Sequence, residues 1–260
     1  LIRGQSRANT KLFFSNIPNS QAGFIFKGAD PSAAGSVALV ADGVPRSKDV
    51  YVDNASSFAV GNDVLIDMII TQAWIDEHGM DGIWNHPSNN ALNLRRDFFR
   101  RTITAIDTTS SPNKITLDIP LRYPMKMRDG AAIRPDTGAL REVGIEHLSV
   151  NNVATLKSAN ANPRAHVFWF QRVKDAFVRD VGTYASARAA VQTSHLQSGG
   201  IYLVTSKRIT VTGCAMEHAQ NHGDGGAGYA FEASMCNEVL FNDNVASDVR
   251  HAFTQNWDFG

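Results

Sequence analysis

The sequence predicts an all-β protein in which one strand-and-turn pattern recurs along the chain. The pattern is an apolar residue, a second apolar residue two positions later, and a turn residue two positions after that. A spacing of two is the side-chain period of a β-strand, whereas a helix needs apolar residues three and four apart. The strand segments are rich in Val, Ile, Phe and Thr, and Asn, Asp and Gly interrupt them. Such segments are typical of short strands joined by tight turns.

The clearest copies of the pattern follow one another at nearly constant intervals. Their reference positions, each the second apolar residue of a copy, are separated by 28, 33 and 30 residues and are Val150, Val178, Val211 and Phe241. The residue two positions after each reference is of a type that tolerates a left-handed backbone or closes a turn with its own side chain. These turn residues are Asn152, Asp180, Gly213 and Asp243. The same pattern occurs near the N-terminus, at Leu12–Ile17 and at Val50–Ala55.

A period near thirty residues indicates a stacked array of repeats. Propeller blades are longer, at about 40 to 45 residues. Coils that place each strand on the equivalent strand of the next coil, and so cover one another's apolar surface, agree better with the spacing. The pattern resembles that of the right-handed parallel β-helix of the pectin-lyase-like superfamily, in which Asn or Asp turns commonly stack from coil to coil. The resemblance covers residues 1–55 and 140–260.

The resemblance implies a secreted or cell-surface protein whose partner is a polysaccharide. Enzymes of the superfamily include polysaccharide lyases and glycoside hydrolases, and we expect one of these activities. The alternative is a β-helix that only binds glycan or builds structure, such as an adhesin, a surface fibre or a viral tail component. No cofactor is expected, although calcium could bind the Asp and Asn oxygens of the segments NDNV and DNVASD.

The repeat pattern is absent from about residue 56 to residue 140. Two alternating segments there, Thr102–Asp107 and Lys114–Ile119, flank a polar loop and predict a β-hairpin. We therefore predict N-terminal coils at 1–55, an inserted small antiparallel β subdomain at 56–140, and further coils at 141–260. Because both ends of the sequence resemble the inside of a coil, we expect it to be part of a longer polypeptide.

The composition argues against two classes of partner. Lys plus Arg and Asp plus Glu are equal at 25 each, and a general nucleic-acid binder is usually basic. No apolar run reaches the roughly 18 residues that cross a bilayer. We therefore expect neither nucleic acid nor a membrane as partner. The two cysteines, Cys214 and Cys236, are expected to be buried free thiols, with a disulfide as the alternative.

The inserted segment from Trp74 to Arg101 combines tryptophan, arginine and asparagine. An aromatic ring can pack on the apolar face of a pyranose while polar groups bind its hydroxyls. We therefore expect a substrate-binding role for four of its residues, which are Trp74, Trp84, Arg95 and Arg96. The alternative is a long loop held in place by its aromatic side chains. His78 and His86 do not have a known zinc-ligand spacing, and no metal site is expected.

The segment from 216 to 234 is the most unusual in the sequence, because it combines acids and imidazoles with several glycines. Its candidate catalytic residues are Glu217, His218, His222 and Asp224, and Tyr229 is a candidate for substrate binding. The next coil adds Asp248, Arg250 and His251. Equivalent positions of stacked coils lie about 4.8 Å apart, so the two sets are expected on one face. The alternative is a solvated connection with no chemical role.

Two chemistries suit this set, and the sequence leaves the choice open. A lyase needs a cation for the uronate carboxylate, here Arg250, and a base for its C5 proton, here His251 or His218. A glycosidase needs two carboxyl groups, here Glu217 with Asp224 or Asp248. Two further histidines, His147 and His166, are expected to be structural.

Overall fold

The computed structural model describes residues 1–31, 34–88, 90–154, 164–223 and 226–256. Among these residues the chain divides into two compact units. One unit, here called the stacked unit, comprises residues 1–29 and 139–256, and the other, the inserted unit, comprises residues 30–138.

The described residues form twenty strands, one short α-helix and one 3₁₀ helix. The first nine strands are β1 (Ile2–Arg3), β2 (Lys11–Phe13), β3 (Ala22–Lys27), β4 (Val37–Ala38), β5 (Asp49–Val52), β6 (Asp63–Ile69), β7 (Arg95–Asp107), β8 (Asn113–Leu117) and β9 (Ala132–Pro135). The helix α1 (Gln72–Glu77) lies between β6 and β7, and the 3₁₀ helix (Met127–Asp129) precedes β9. The remaining strands are β10 (Leu140–Arg141), β11 (Gly144–Asn151), β12 (His166–Gln171), β13 (Val173–Thr183), β14 (Gly199–Val204), β15 (Lys207–Thr212), β16 (Ala215–Glu217), β17 (Tyr229–Ser234), β18 (Asn237–Asn242), β19 (Val245–Ser247) and β20 (His251–Asn256).

The stacked unit consists of two parallel sheets. The first sheet has the order β1-β11-β13-β15-β18, and the short strands β2, β10, β16 and β19 extend it. The second sheet has the order β20-β17-β14-β12-β3. Because each strand pairs with the equivalent strand of the next repeat, the all-β prediction is confirmed and the parallel sheets fit a stack of coils.

The pairing register shows that one predicted repeat position is wrong. The reference row of the first sheet is Ile145, Val178, Val211 and Phe241, with steps of 33, 33 and 30 residues. Val150 pairs instead with Thr183 and with Leu12. Ile145 and Val150 both lie in β11, and each follows another apolar residue by two positions, so either could be the reference residue. The pattern in one strand therefore could not specify which residue is the partner of Val178.

The turns after the reference row all adopt the left-handed conformation. The residue two positions after each reference has φ of +59°, +49°, +61° and +53° at His147, Asp180, Gly213 and Asp243 respectively. Three of these were predicted, and the fourth is His147 rather than Asn152. Asp and His visit this region more readily than most residues, and Gly does so without a side-chain clash. The Nδ1 atom of His147 also lies 2.7 Å from the carboxylate of Asp180 in the next coil.

Aromatic residues at equivalent positions stack inside the unit. Phe24 and Phe168, which are register partners, have parallel rings with centroids 5.7 Å apart. Phe231 and Phe253, two coils further along, stack in the same way at 5.0 Å. Phe168 and Phe231, together with Val, Ile and Leu side chains of the first sheet, belong to the apolar core of the unit, and Phe24 packs against this core.

The inserted unit is an antiparallel barrel of six strands. The strand order is β4-β9-β6-β7-β8-β5, and a bridge between Leu39 and Val52 joins the two ends of this order. The predicted hairpin is confirmed as β7 and β8. The buried apolar side chains of the inserted unit include Val50, Val52, Val64, Ile66, Met68, Ile103, Ile115, Leu117 and Ile133.

The boundary of the insertion differs from the predicted one. Residues 30–55 were expected to belong to the coils, but the strand Asp49–Val52 pairs antiparallel with β8 and belongs to the inserted unit. Val50 and Val52 are buried, as the apolar-x-apolar pattern requires. Such a pattern specifies a strand with one buried face, but it does not specify parallel or antiparallel pairing.

The two cysteines of the stacked unit, Cys214 and Cys236, are buried thiols that form no disulfide. Burial raises the pKa of the Cys214 thiol to about 11, so it is a neutral core residue near pH 7. In the described parts of the chain, no helix has the length and apolar character that a membrane span requires.

His166 is a buried histidine on the second sheet of the stacked unit. It is 1% exposed, and its ring stacks on Tyr202 with centroids 4.9 Å apart. Neither ring nitrogen has a hydrogen-bond partner among the residues that the structure describes. Burial, with a smaller effect of the positive charge of Arg164, lowers the pKa of His166 from 6.5 to about 3. The side chain is therefore neutral in the folded protein under ordinary conditions.

This pKa predicts that acid destabilises the fold. Between the unfolded value of 6.5 and the folded value of about 3, the unfolded chain binds the extra proton. The free energy of unfolding should therefore be highest above that window and fall by roughly 1.4 kcal/mol per pH unit for this group as the pH drops through it. His166→Phe, which keeps the stacking on Tyr202, should remove this part of the pH dependence. Urea unfolding across the window measures it, and the same exchange at exposed His86 is the matched control. An unchanged slope in His166→Phe would contradict the assignment.

Candidate functional site

The candidate site lies where strands of the first sheet end and the chain crosses to the second sheet. The strands β13, β16 and β19 end at Thr183, Glu217 and Ser247, and Glu217 and Ser247 are register partners. The connections that follow, residues 184–198, 218–228 and 248–250, have different lengths but start from neighbouring strands. Side chains at their beginnings are therefore brought together from successive coils.

The centre of the site is an imidazole–carboxylate contact. His218 Nδ1 lies 3.1 Å from Asp248 Oδ2, although the two residues are 30 apart in sequence. Both residues have positive φ, +55° and +49°, and this shared turn directs their side chains to the same place on successive coils. The backbone N–H of His218 donates to the carbonyl of Ser247 at 3.0 Å, which fixes the spacing between the coils.

Two further predicted residues contact this pair. His222 Nε2 lies 3.8 Å from Asp248 Oδ1, so two imidazoles share one carboxylate. The carboxylate of Glu217 accepts a hydrogen bond of 2.9 Å from the hydroxyl of Ser247. The side chains of His218, His222 and Asp248 are 43%, 43% and 57% exposed. The cluster is thus open to a ligand from solvent.

Arg250, His251 and Tyr229 lie beside the cluster. The Arg250 guanidinium donates to the carbonyl of Gly223, in the connection that carries His222. Tyr229 and His251 are register partners at the start of the second sheet, and their rings meet edge to face with centroids 4.8 Å apart. These residues form one side of the site.

Gly228 permits the close approach of Arg250 to the 218–228 connection. Its φ is +71°, and a Cβ at this position would lie 2.9 Å from both the Cβ of Arg250 and the carbonyl oxygen of Asn221. The backbone N–H of Arg250 donates to the carbonyl of Gly228 at 2.8 Å. A larger residue would push the two connections apart, so the glycine-rich segment has a structural reason at this position.

The structure therefore brings most of the predicted catalytic residues together. Those in or beside the cluster are Glu217, His218, His222, Asp248, Arg250 and His251. Asp224 lies outside the described residues. The described residues contain no group of three or more His, Cys, Asp or Glu side chains that could hold a metal ion.

His195 also belongs to this cluster and was not predicted. Its ring meets that of His218 edge to face with centroids 4.6 Å apart, and its backbone N–H donates to the His218 carbonyl at 2.9 Å. Its Nδ1 lies 3.4 Å from the hydroxyl of Thr183, which also accepts the N–H of Glu217 at 3.1 Å. Burial and the positive charge of His218 lower the pKa of His195, and Glu217 opposes them. His195 precedes His218 by 23 residues, which is not a repeat step, so spacing gave no signal.

The predicted substrate-binding role of Trp74 is wrong in this structure. Trp74 lies in α1 and is 1% exposed. Its ring stacks on His78 at 4.0 Å and on Trp84 at 5.0 Å, and the buried side chain leaves almost no surface for a sugar. Trp84 is half-buried and keeps part of its surface accessible. The alternative expectation, aromatic side chains that hold the segment in place, describes Trp74 correctly.

Arg95 and Arg96 lie on β7 of the barrel. The Arg95 guanidinium donates to the carboxylate of Asp67 and, at 3.2 Å, to the carbonyl of Gly130. Asp67 is fully buried; burial raises the pKa of this carboxyl, and Arg95 and Arg134 oppose the rise. Arg95 therefore compensates a buried charge and is not free to bind a sugar, which corrects the prediction. Arg96 is half-buried, and burial lowers the pKa of its guanidinium.

Comparison with known proteins shows similarity at the level of fold. No family model and no curated protein matches the chain. The tailspike gp61 of Pseudomonas phage phi297 matches 97% of this chain and 37% of its own length, with a TM-score of 0.60 and 12% identity. The tailspike gp49 of Pseudomonas phage LKA1 matches 85% of this chain and 30% of its own length, with a TM-score of 0.51 and 14% identity.

The chain shares its fold with part of these phage tailspikes. A third structure, the Gp54 tailspike of Acinetobacter baumannii bacteriophage AP22 in complex with A. baumannii capsular saccharide, has a TM-score of 0.38 at 10% identity, over 86% of this chain and 47% of its own length. The chain thus spans less than half the length of each of the three.

Proposed function

We propose that the chain is a right-handed parallel β-helix portion of a tailspike-like surface protein that binds and degrades an extracellular polysaccharide. The fold similarity to tailspikes and the parallel stacking of coils support the architecture. The solvent-open acid and imidazole cluster at the coil ends supports the activity. The protein would act outside a cell, as part of a virion or on a cell surface.

The contact between His218 and Asp248 is the observation that carries this proposal. A carboxylate on Nδ1 fixes the tautomer and orientation of an imidazole and leaves Nε2 for proton transfer. Histidine is also the side chain whose ordinary pKa suits proton transfer near neutral pH. A similar contact joins His147 to Asp180 at another turn. The His218–Asp248 pair differs from it because His222, Glu217 and Arg250 surround it.

The lyase reaction agrees with the charges around this pair. Eliminating a uronate requires a cation that neutralises the carboxylate, so that the C5 proton becomes acidic enough to remove. Arg250 can donate two parallel hydrogen bonds to a carboxylate, and its side chain is solvent-exposed beside the cluster. Tyr229, next to His251, offers a ring on which a pyranose can pack. Trp84 remains a proposed sugar contact on the inserted unit.

A hydrolase is the second candidate, because the register brings two carboxyl groups onto adjacent strands. Glu217 pairs with Ser247, so Asp248 follows the register partner of Glu217 by one residue. A glycosidase requires two carboxyl groups, which are about 5–5.5 Å apart in retaining enzymes and about 6.5–9.5 Å apart in inverting enzymes. Glu217 would then be the acid and Asp248 the nucleophile or base.

A product assay on acidic and neutral polysaccharides tests the proposal. Unsaturated uronate products, detected by ultraviolet absorbance, together with new reducing ends indicate a lyase, and reducing ends alone indicate a hydrolase. Glu217→Gln should abolish a hydrolase, and the exposed Glu142, in the turn before β11, gives Glu142→Gln as matched control. Retention on a glycan column without any product would mean that the protein binds glycan and does not cleave it. If the protein gives no products and is not retained on the column, the proposed function is wrong altogether.

A further inference from the structure

The two imidazoles at the centre of the site are held in the same way from two different coils. Each has its Nδ1 next to an oxygen of the protein, Thr183 Oγ1 for His195 and Asp248 Oδ2 for His218. No hydrogen bond to Nε2 of either ring is formed among the residues that the structure describes. The two rings meet edge to face with centroids 4.6 Å apart.

The charges around the rings differ, and this difference distinguishes their roles. The carboxylate of Asp248 contacts His218 directly at 3.1 Å. His195 has a neutral hydroxyl next to its Nδ1 instead. A carboxylate beside an imidazole suits the role of a proton donor, and a neutral hydroxyl beside an imidazole suits the role of a proton acceptor. Among the described residues, Glu217 and His222 also belong to the cluster, Arg250 and His251 lie beside it, and Glu217 partly offsets the effect of burial on the pKa of His195.

We propose that His195 is the base and His218 the acid of an elimination reaction on a polysaccharide that contains uronic acid residues. This inference rests on the proposed function and names its substrate class. It also gives a role to His195, which does not occupy a repeat position. The acid and the base then come from neighbouring coils, and only the stacking of the coils creates the pair.

The steps balance without an oxidant, a reductant or a metal. His195 Nε2 forms a bond to the hydrogen on C5, and the electrons of the C5–H bond form the C4–C5 double bond. The C4–O4 bond breaks, and O4 takes the proton from His218 Nε2. Arg250 holds the C5 carboxylate during the step. Loss of the proton from His195 to solvent and uptake of one by His218 restore the starting state.

Ring titrations by NMR test the coupling of the two histidines without any need for substrate. The pKa of His195 should lie below 6.5 in the unaltered protein. It should rise in His218→Asn, which removes a positive neighbour, and fall further in Glu217→Gln, which removes a negative one. The matched control is His147→Asn, at another left-handed turn where a histidine contacts an aspartate. A His195 titration that is unchanged in His218→Asn would overturn the proposed pair.

The kinetic test is the pH profile of kcat/KM for His195→Gln on an acidic polysaccharide. The variant should lose about 10²- to 10⁴-fold in rate and also the acidic limb that reports the base. Circular dichroism and the urea midpoint establish that it is folded. Full activity in His195→Gln overturns this inference and leaves the proposed function intact. A wild-type protein that cleaves no polysaccharide overturns both, even if the NMR coupling is present.

Discussion

Replacing His218 with asparagine is expected to lower the rate of polysaccharide cleavage by about 10²- to 10⁴-fold, the usual loss when a positioned acid or base is removed. Asparagine tolerates the left-handed conformation that His218 adopts at φ of +55°. Its amide can also donate to Asp248, so the turn and the contact between the coils should persist. The change therefore removes proton transfer and little else. Initial rates on the polysaccharide that the wild-type protein cleaves measure it.

The control for this prediction is His147→Asn in the same unit. His147 also has positive φ and an aspartate neighbour, Asp180, at 2.7 Å, but it lies outside the proposed catalytic cluster. This variant should cleave at the wild-type rate. Binding of the polysaccharide to His218→Asn, measured by retention on a glycan column, should also persist. A wild-type rate in His218→Asn would remove His218 from the mechanism and leave Glu217 and Asp248 as the alternative.

Replacing Phe168 with alanine is expected to lower the free energy of unfolding by about 3–5 kcal/mol, the usual cost of removing a buried phenylalanine ring. Phe168 is fully buried and stacks on Phe24 with parallel rings. The loss combines the transfer of the ring from water with the cavity that remains between the coils. Urea unfolding followed by circular dichroism measures the change.

The same exchange at Phe253 is the matched comparison. Phe253 occupies an equivalent position, stacks on Phe231 at 5.0 Å and is 52% exposed. Because alanine there removes less buried surface and opens no enclosed cavity, the loss should be clearly smaller than at Phe168. Equal losses at the two positions would mean that stacking between rings, rather than burial, determines the stability of this sheet.

The repeat and its turns could be predicted from the sequence because they depend on local physics. A strand with one buried face needs apolar residues two apart, and a left-handed turn favours Asp or Gly. Asp180, Gly213 and Asp243 each follow such a pair of apolar residues, and their turns were placed correctly. The step of 30 residues then brings Asp248 to His218. The central pair of the site was predictable for the same reason.

The partner of each strand could not be predicted in the same way. Val50 lies in a strand with the repeat pattern, yet its partner is Ile115 of the barrel. The segment around Trp74 has the composition of a sugar site, yet Trp74 itself is buried against the rings of His78 and Trp84. Pairing and burial depend on residues far away in sequence, and a local pattern contains no information about them.

The sequence by itself thus determined an all-β chain of stacked repeats and an acid–imidazole pair at repeat positions. Only the tertiary structure decided that His195 joins this pair. His195 lies in a connection between the sheets, where length varies from coil to coil, so its distance along the chain does not predict its distance in space. Strand positions follow a period because hydrogen-bonded pairing fixes the register, and connections do not because no such pairing constrains their length.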